Sequence, residues 1–155
     1  MDPIGRALQI PEYLLTPEDA VTMFEFIRNM RMAGEPVTYG CNSYLGLEYE
    51  HEVRDWSFFC LAGLATASIA CNGDILACLD IERRPELIQG NWLKGDRFKD
   101  VWLNKFEAYR GPDLACRSEK CMNCDSKKYC HGGGFHTWDH DKNEQRLCFK
   151  GILFD

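Results

Sequence analysis

Cys121-Met122-Asn123-Cys124-Asp125-Ser126-Lys127-Lys128-Tyr129-Cys130-His131-Gly132-Gly133-Gly134 decides how this chain folds, because it spaces three thiols as Cys-x2-Cys-x5-Cys ahead of a glycine run. A Cys-x2-Cys pair points two sulfurs at one place from a single tight turn, and Cys130 with Cys148 completes a set of soft ligands. Such a group in the last quarter of an acidic chain predicts a metal site. Spacing alone leaves the metal open, since zinc and iron–sulfur clusters both accept four thiolates.

Working outward, the 155 residues, 45% of them hydrophobic, suffice for one modest core with an appendage. The 18 basic and 24 acidic side chains leave a net charge of -6, without a block of five like charges. That balance offers no track for a phosphate backbone, so no nucleic-acid partner is expected. The first thirty residues lack a basic region followed by an apolar one, and the most apolar stretch, 61–71, is too short to span a bilayer. A cytoplasmic chain without a membrane partner is the expectation. Nine cysteines then point to metal binding, while the odd count and the missing signal argue against a disulfide framework.

Thr16-Pro17-Glu18-Asp19 predicts a helix start, with Val21, Phe24, Ile27 and Met30 as an apolar stripe and Gly34 as the stop. A short strand is expected over 36–39, and a loop between Cys41 and Asp55. Asn72-Gly73 predicts a two-residue hairpin between strands 66–71 and 74–78, with Ile69 and Ile75 as the main apolar contacts. Residues 81–89, with Pro85, read as a polar connection. One helix is predicted over 96–110, its face of Phe98, Val101, Trp102, Phe106 and Tyr109 belonging to the core, ended by Gly111-Pro112. From Cys116 onward regular structure is weak, so ligands must hold the segment. Cys41 and Cys71 read as small buried thiols. The hairpin also returns its far strand beside its start, so Cys60 and Cys78 could reach one site.

The order Cys60-x12-Gly73-x4-Cys78, gap, Cys121-x2-Cys124-x5-Cys130, gap, Cys148 resembles the SPASM domain, the auxiliary iron–sulfur extension of many radical SAM enzymes. Its pattern is Cys-x(9–15)-Gly-x4-Cys, gap, Cys-x2-Cys-x5-Cys-x3-Cys, gap, Cys. Ala62-Gly63, Asn72-Gly73-Asp74, Gly90-Asn91, Phe98 and Trp102 also fit. The departure is Gly134, where the family carries a cysteine.

By that resemblance Cys121, Cys124, Cys130 and Cys148 form the complete site for the second auxiliary [4Fe-4S] cluster. Cys60 and Cys78 belong to the first cluster site and lack a partner at position 134. Cys116 is the preferred replacement; Cys71, or a histidine such as His131 or His136, are alternatives, as is an incomplete or absent cluster. The glycine run suits close approach of backbone to a sulfide, or equally a flexible surface loop.

The resemblance thus implies an α+β fold: a small iron–sulfur domain with a β-hairpin, a following amphipathic helix and a cysteine-rich irregular end. Residues 1–40 resemble the last strand and helix of a radical SAM partial barrel, 41–55 connect, 56–150 form the SPASM-like domain, and 151–155 are a tail. The implied role is electron transfer and binding of a peptide or protein substrate, beside a radical SAM catalytic domain in cis or in trans. The chain itself lacks the motif for S-adenosylmethionine cleavage: Cys116-x4-Cys121-x2-Cys124 is one residue too long and stands too late. The stripe from Val21 to Met30 is expected to be orphaned and to drive self-association. The alternatives are a zinc-stabilised four-cysteine module and a degenerate fragment.

Three further signals resolve without new chemistry. His131-Gly132-Gly133-Gly134 matches an esterase oxyanion loop, but no Gly-x-Ser-x-Gly accompanies it. His136 and His140 read as solvated loop histidines, and Trp138 as core or as a lid on the cluster.

Overall fold

The structure is a computed structural model, and it describes residues 2–40 and 43–155. It is a small α+β fold with two antiparallel sheets and two apolar cores.

Helix α1 (Pro17–Met32) starts where the sequence placed it. The Thr16 hydroxyl accepts from the Asp19 N–H and the Asp19 carboxylate accepts from the Thr16 N–H, both at 3.1 Å, a reciprocal cap. Its buried face is Ala20, Phe24 and Ile27, packed with Tyr39, Leu45, Val53 and Phe149 into the first core. The Phe24 ring meets Tyr39 edge-on at 4.9 Å and Phe149 at 5.4 Å. The expected orphaned stripe is therefore corrected: Phe24 and Ile27 are covered within the chain, and Val21 is exposed. Residues 36–39 form no strand, although the Tyr39 N–H is held by the Val53 carbonyl at 2.8 Å.

The expected loop from Cys41 to Asp55 contains helix α2 (Gly46–Val53), a second correction. Its inner face carries Glu50 beside Val53, so no apolar period marks it. Glu50 and Arg54 are 1% and 0% exposed and meet at 2.7 Å. Glu50 also accepts from the N–H groups of Leu45 and Phe58, and Arg54 donates to the carbonyls of Gly40 and Ser43. Hydrogen bonds on both partners are what make a buried pair tolerable. Cys41 lies outside the described residues, and with it the expectation that it is buried.

The hairpin forms as β1 (Ser68–Ile69) against β2 (Asp74–Leu76), in register Ser68↔Leu76 and Ile69↔Ile75. Its loop has three residues, not two. The Ala70 N–H bonds the Asp74 carbonyl at 2.8 Å and the Gly73 N–H bonds Ala70, while Gly73 takes the left-handed φ of 86° that closes such a turn. The cause is tertiary: the Asn91 amide donates to the Asn72 carbonyl and the Asp74 carboxylate, filling the turn from inside. Asn91 belongs to a third strand, β3 (Gly90–Asn91), paired with β2 where only a polar connection was expected to lead. Ile75 is fully buried, whereas Ile69 is 45% exposed.

The helix expected over 96–110 is two: α3 (Phe98–Asn104) and α4 (Glu107–Arg110), broken at 105–106. The break turns Phe106 fully into the second core beside Val101 and Tyr109. Beyond it, α5 (Glu119–Met122), α6 (Lys127–Cys130) and the hairpin of β4 (Trp138–Asp139) with β5 (Glu144–Gln145) are short, as expected of an irregular segment. They are nevertheless anchored in apolar packing. Leu114, Phe135 and the fully buried Trp138 join the second core, and Phe149 joins the first. Ile152, Leu153 and Phe154 pack against that first core, so 151–155 is not a free tail. Among the described residues no helix is long and apolar enough to cross a membrane.

Candidate metal centre

Cys121 closes the third position of α5, Cys124 follows in a turn whose N–H bonds the Cys121 carbonyl at 3.1 Å, and Cys130 is the last residue of α6. After Cys130 the chain reverses. His131 and Gly132 take left-handed φ values of 54° and 87°, and the Gly133 N–H returns to the Cys130 carbonyl at 2.8 Å. Cys148 arrives from the far side of the β4–β5 hairpin. All four line one pocket, together with Tyr44, Gly132, Gly133, Gln145 and Phe154. None of the four is in a disulfide. Among the described residues no three Cys, His, Asp or Glu side chains converge to hold a single ion.

The four thiols influence one another electrostatically. Burial pushes the Cys130 thiol up to about 12, and Cys148, Cys121 and Cys124 add to the rise. Burial also raises Cys121, with Cys148 and Cys124 contributing. The Gly132 backbone and the buried Ser118 side chain act the other way, lowering Cys130 and Cys121 respectively. Hydrogen bonds from backbone and hydroxyl to ligand sulfur belong to the shell that supports and tunes iron–sulfur centres. The donors themselves, four soft thiols, are of the type that zinc and iron–sulfur clusters both accept.

The glycine run is neither loose nor superficial. Gly132 and Gly133 are buried, and a Cβ on Gly132 would lie 2.2 Å from the Ala115 nitrogen. A Cβ on Gly133 would lie 2.7 Å from the Gln145 side chain, whose amide also donates to the Gly134 carbonyl at 2.8 Å. The flexible-loop alternative is thereby corrected.

Cys60 and Cys78 pack against the second core, which includes Tyr109. Burial raises the Tyr109 hydroxyl to about 12, and both cysteines add to that rise. Of the residues considered for position 134, Cys71 and Cys116 are exposed, and Cys116 lines neither the four-cysteine pocket nor the one beside Cys60. His131 does line the pocket beside Cys60, with its Nδ1 held by Asp113 at 2.9 Å and its ring edge-on to Phe59. His136 is buried near Asp80 and Asp2, so it is not the solvated histidine expected.

Sequence reasoning missed Tyr44, Ser118 and Gln145. Tyr44 is a wall shared by the cysteine pocket and a neighbouring groove, stacked on Tyr129 at 6.2 Å and edge-on to Phe154 at 5.1 Å. Only Ser118, three residues before Cys121, stood close enough in sequence to be noticed.

Comparison with protein-family models, with curated proteins and with solved structures returns no match to this chain.

Proposed function

We propose that this chain is an auxiliary iron–sulfur domain serving a radical SAM enzyme that modifies a peptide or protein, the catalytic domain being supplied in cis or in trans. The observation that carries the reading is the convergence of Cys121, Cys124, Cys130 and Cys148 on one pocket from separate short elements. Four thiols on one pocket suit either zinc or a cluster. The order of the cysteines along the chain, with Cys60, Gly73 and Cys78 upstream, is what favours the cluster.

Bound there, a [4Fe-4S] cluster supplies a one-electron acceptor whose potential depends on hydrogen bonds to its ligand sulfurs and on exposure. The chain's own residues do the rest. Gly132 and Ser118 stabilise charge on Cys130 and Cys121. Tyr44, Leu147, Phe149 and Phe154 exclude water from the inner wall, while Cys148 leaves the outer edge open. The groove beyond Tyr44, with Leu47, Phe58, Phe59 and Tyr129, is the apolar bed assigned to the substrate peptide.

Iron and sulfide quantification after anaerobic purification tests this. Wild type should carry about four irons that Cys148→Ala loses, and about eight if Cys60 and Cys78 hold a second cluster. A colourless protein containing zinc alone would replace the reading with the structural module. Formation of 5′-deoxyadenosine by the isolated chain with reductant would overturn its non-catalytic assignment.

A further inference from the structure

Asn72-Gly73 is the one Asn-Gly pair in the chain, and such a pair carries chemistry of its own. Glycine leaves its amide nitrogen unhindered, so it can attack the preceding side-chain carbonyl and close a five-membered ring. The fold requires this glycine. Gly73 stands at φ 86°, and a Cβ there would lie 2.7 Å from Leu93 and 2.8 Å from the Asn91 Oδ1. Asn72 is exposed, yet both reacting groups are tied down. The Gly73 N–H donates to the Ala70 carbonyl at 2.8 Å. The Asn72 side-chain nitrogen donates to the Asp74 carboxylate at 2.6 Å, and the side-chain oxygen accepts from the Asp74 N–H at 3.3 Å. Asn91, only 9% exposed, closes the arrangement. Its amide donates to the Asn72 carbonyl at 3.1 Å and to the Asp74 carboxylate at 2.8 Å. Asn91 is itself fixed by the Asp96 carboxylate and the Lys94 N–H, and the Trp92 N–H holds the Gly73 carbonyl at 2.7 Å.

We propose that Asn72 is a gated modification site: the closed hairpin blocks its conversion to aspartate and isoaspartate, and Asn91 is the latch. In the blocked step the Gly73 nitrogen attacks the Asn72 Cγ. A bond forms between them, the bond from Cγ to the side-chain nitrogen breaks, and ammonia leaves carrying the Gly73 proton. Water then opens the succinimide at either carbonyl. One water enters, one ammonia departs, and nothing is oxidised or reduced. With the Gly73 N–H committed to Ala70 and the Asn72 amide clamped on a carboxylate, attack and departure are both held back. Loss of the Asn91 donor frees Asn72 and Asp74 together. Either product then opposes reclosure. Isoaspartate adds a backbone carbon to a loop closed by the bond from the Ala70 N–H to the Asp74 carbonyl. Aspartate sets a second carboxylate against Asp74 where Asn72 had donated. Cys78 follows β2 by two residues, so an opened hairpin releases it from the second core. None of this depends on metal binding.

The test incubates the full chain at neutral pH as wild type, as Asn91→Ala and as Asn91→Asp, which keeps the size and loses the donor. Wild type unfolded in urea serves as the reference. Peptide mass spectrometry reads the mass gain at residue 72, and chromatography separates the two products. Folded wild type should react at least about tenfold more slowly than unfolded chain, because a step that needs an open hairpin follows the open population. Each Asn91 variant, shown to be folded by circular dichroism, should react about tenfold or more faster than wild type. Phe24→Leu, which weakens the first core instead, should stay within about twofold of wild type. Folded wild type within about twofold of the unfolded chain would overturn the gate. Folded Asn91 variants at the wild-type rate would overturn the latch, as would equal acceleration by Phe24→Leu, since global unfolding would then set the rate. If neither Asn91 variant folds, a wild-type rate that climbs below the urea midpoint supports local opening, and one that climbs only with global unfolding sinks it. Asn72→Asp, which copies one product, should speed alkylation of Cys78; unchanged labelling would overturn the claimed release.

Discussion

Glu50 and Arg54, one turn apart on α2 and both closed to solvent, meet at 2.7 Å and join four stretches of chain. Through Glu50 they fix Leu45 and Phe58, and through Arg54 the carbonyls of Gly40 and Ser43. Tyr44, which walls the cysteine pocket, stands between two of those anchors.

Breaking that pair from one side should be costly. Arg54→Met strands a buried carboxylate and is expected to lower stability by about 3–5 kcal/mol in urea unfolding. Glu50→Leu/Arg54→Met removes both charges and should recover part of the loss. A single-variant cost below about 1 kcal/mol would place the pair among ordinary surface bridges.

Gly132 and Gly95 share a left-handed backbone, at φ 87° and 98°, but differ in space. Nothing lies within 4 Å of a Cβ on Gly95, whereas one on Gly132 would meet the Ala115 nitrogen at 2.2 Å. Gly95→Ala should cost about 1–2 kcal/mol from backbone conformation alone. Gly132→Ala should cost about 1–3 kcal/mol more through overpacking, and should also reduce iron uptake by shifting Cys130. Thermal unfolding and iron content of the two variants, compared side by side, decide it.

Acidification should destabilise the fold through two histidines. Burial, opposed by Asp80 and Asp2, lowers His136; burial and then Arg84 lower His140, where Glu82 opposes and Arg117 and Arg146 assist. Both are harder to protonate in the fold than in the unfolded chain, so the unfolded chain takes up protons first as pH falls. Their contribution is complete above the ordinary value of 6.5 and is lost below it. Melting temperatures should drop between about pH 7.5 and about pH 5, and His136→Gln/His140→Gln should flatten that slope. An unchanged slope would reassign the acid sensitivity to carboxylates.

Thiol labelling should separate the cysteines by environment. In the metal-free chain Cys71, Cys116 and Cys148, all exposed, should be alkylated first, while Cys130, with its thiol held near 12 by burial, should react last. Metal loading should protect Cys121, Cys124, Cys130 and Cys148 and leave Cys71 and Cys116 reactive. Peptide mass spectrometry reads both patterns. Protection of Cys116 together with Cys60 would instead place it at the first site.

Much of the fold was legible where local rules suffice. Thr16 and Asp19 announced α1, Asn72-Gly73 announced a hairpin, and Gly111 ended the aromatic helix because caps and turns are decided within a few residues. Helix α2 was illegible because its buried face carries Glu50, a residue that patterning assigns to solvent unless its partner Arg54 is already in place. The break before Glu107 was hidden for a related reason: Phe106 and Tyr109 satisfy helical spacing, and only the shape of the core turns them off one axis.

The sequence by itself determined which sulfurs can act together, since Cys-x2-Cys-x5-Cys and the glycines behind it are fixed by short-range chain geometry. Tertiary structure decided what surrounds them. Tyr44, Ser118 and Gln145 come from distant segments, and Cys148 reaches the pocket because Phe149 beside it is buried against Phe24 of α1. Ligand spacing is a property of the local backbone; a pocket's walls, charge and open edge depend on contacts between residues far apart in the chain, and apolar burial selects those contacts.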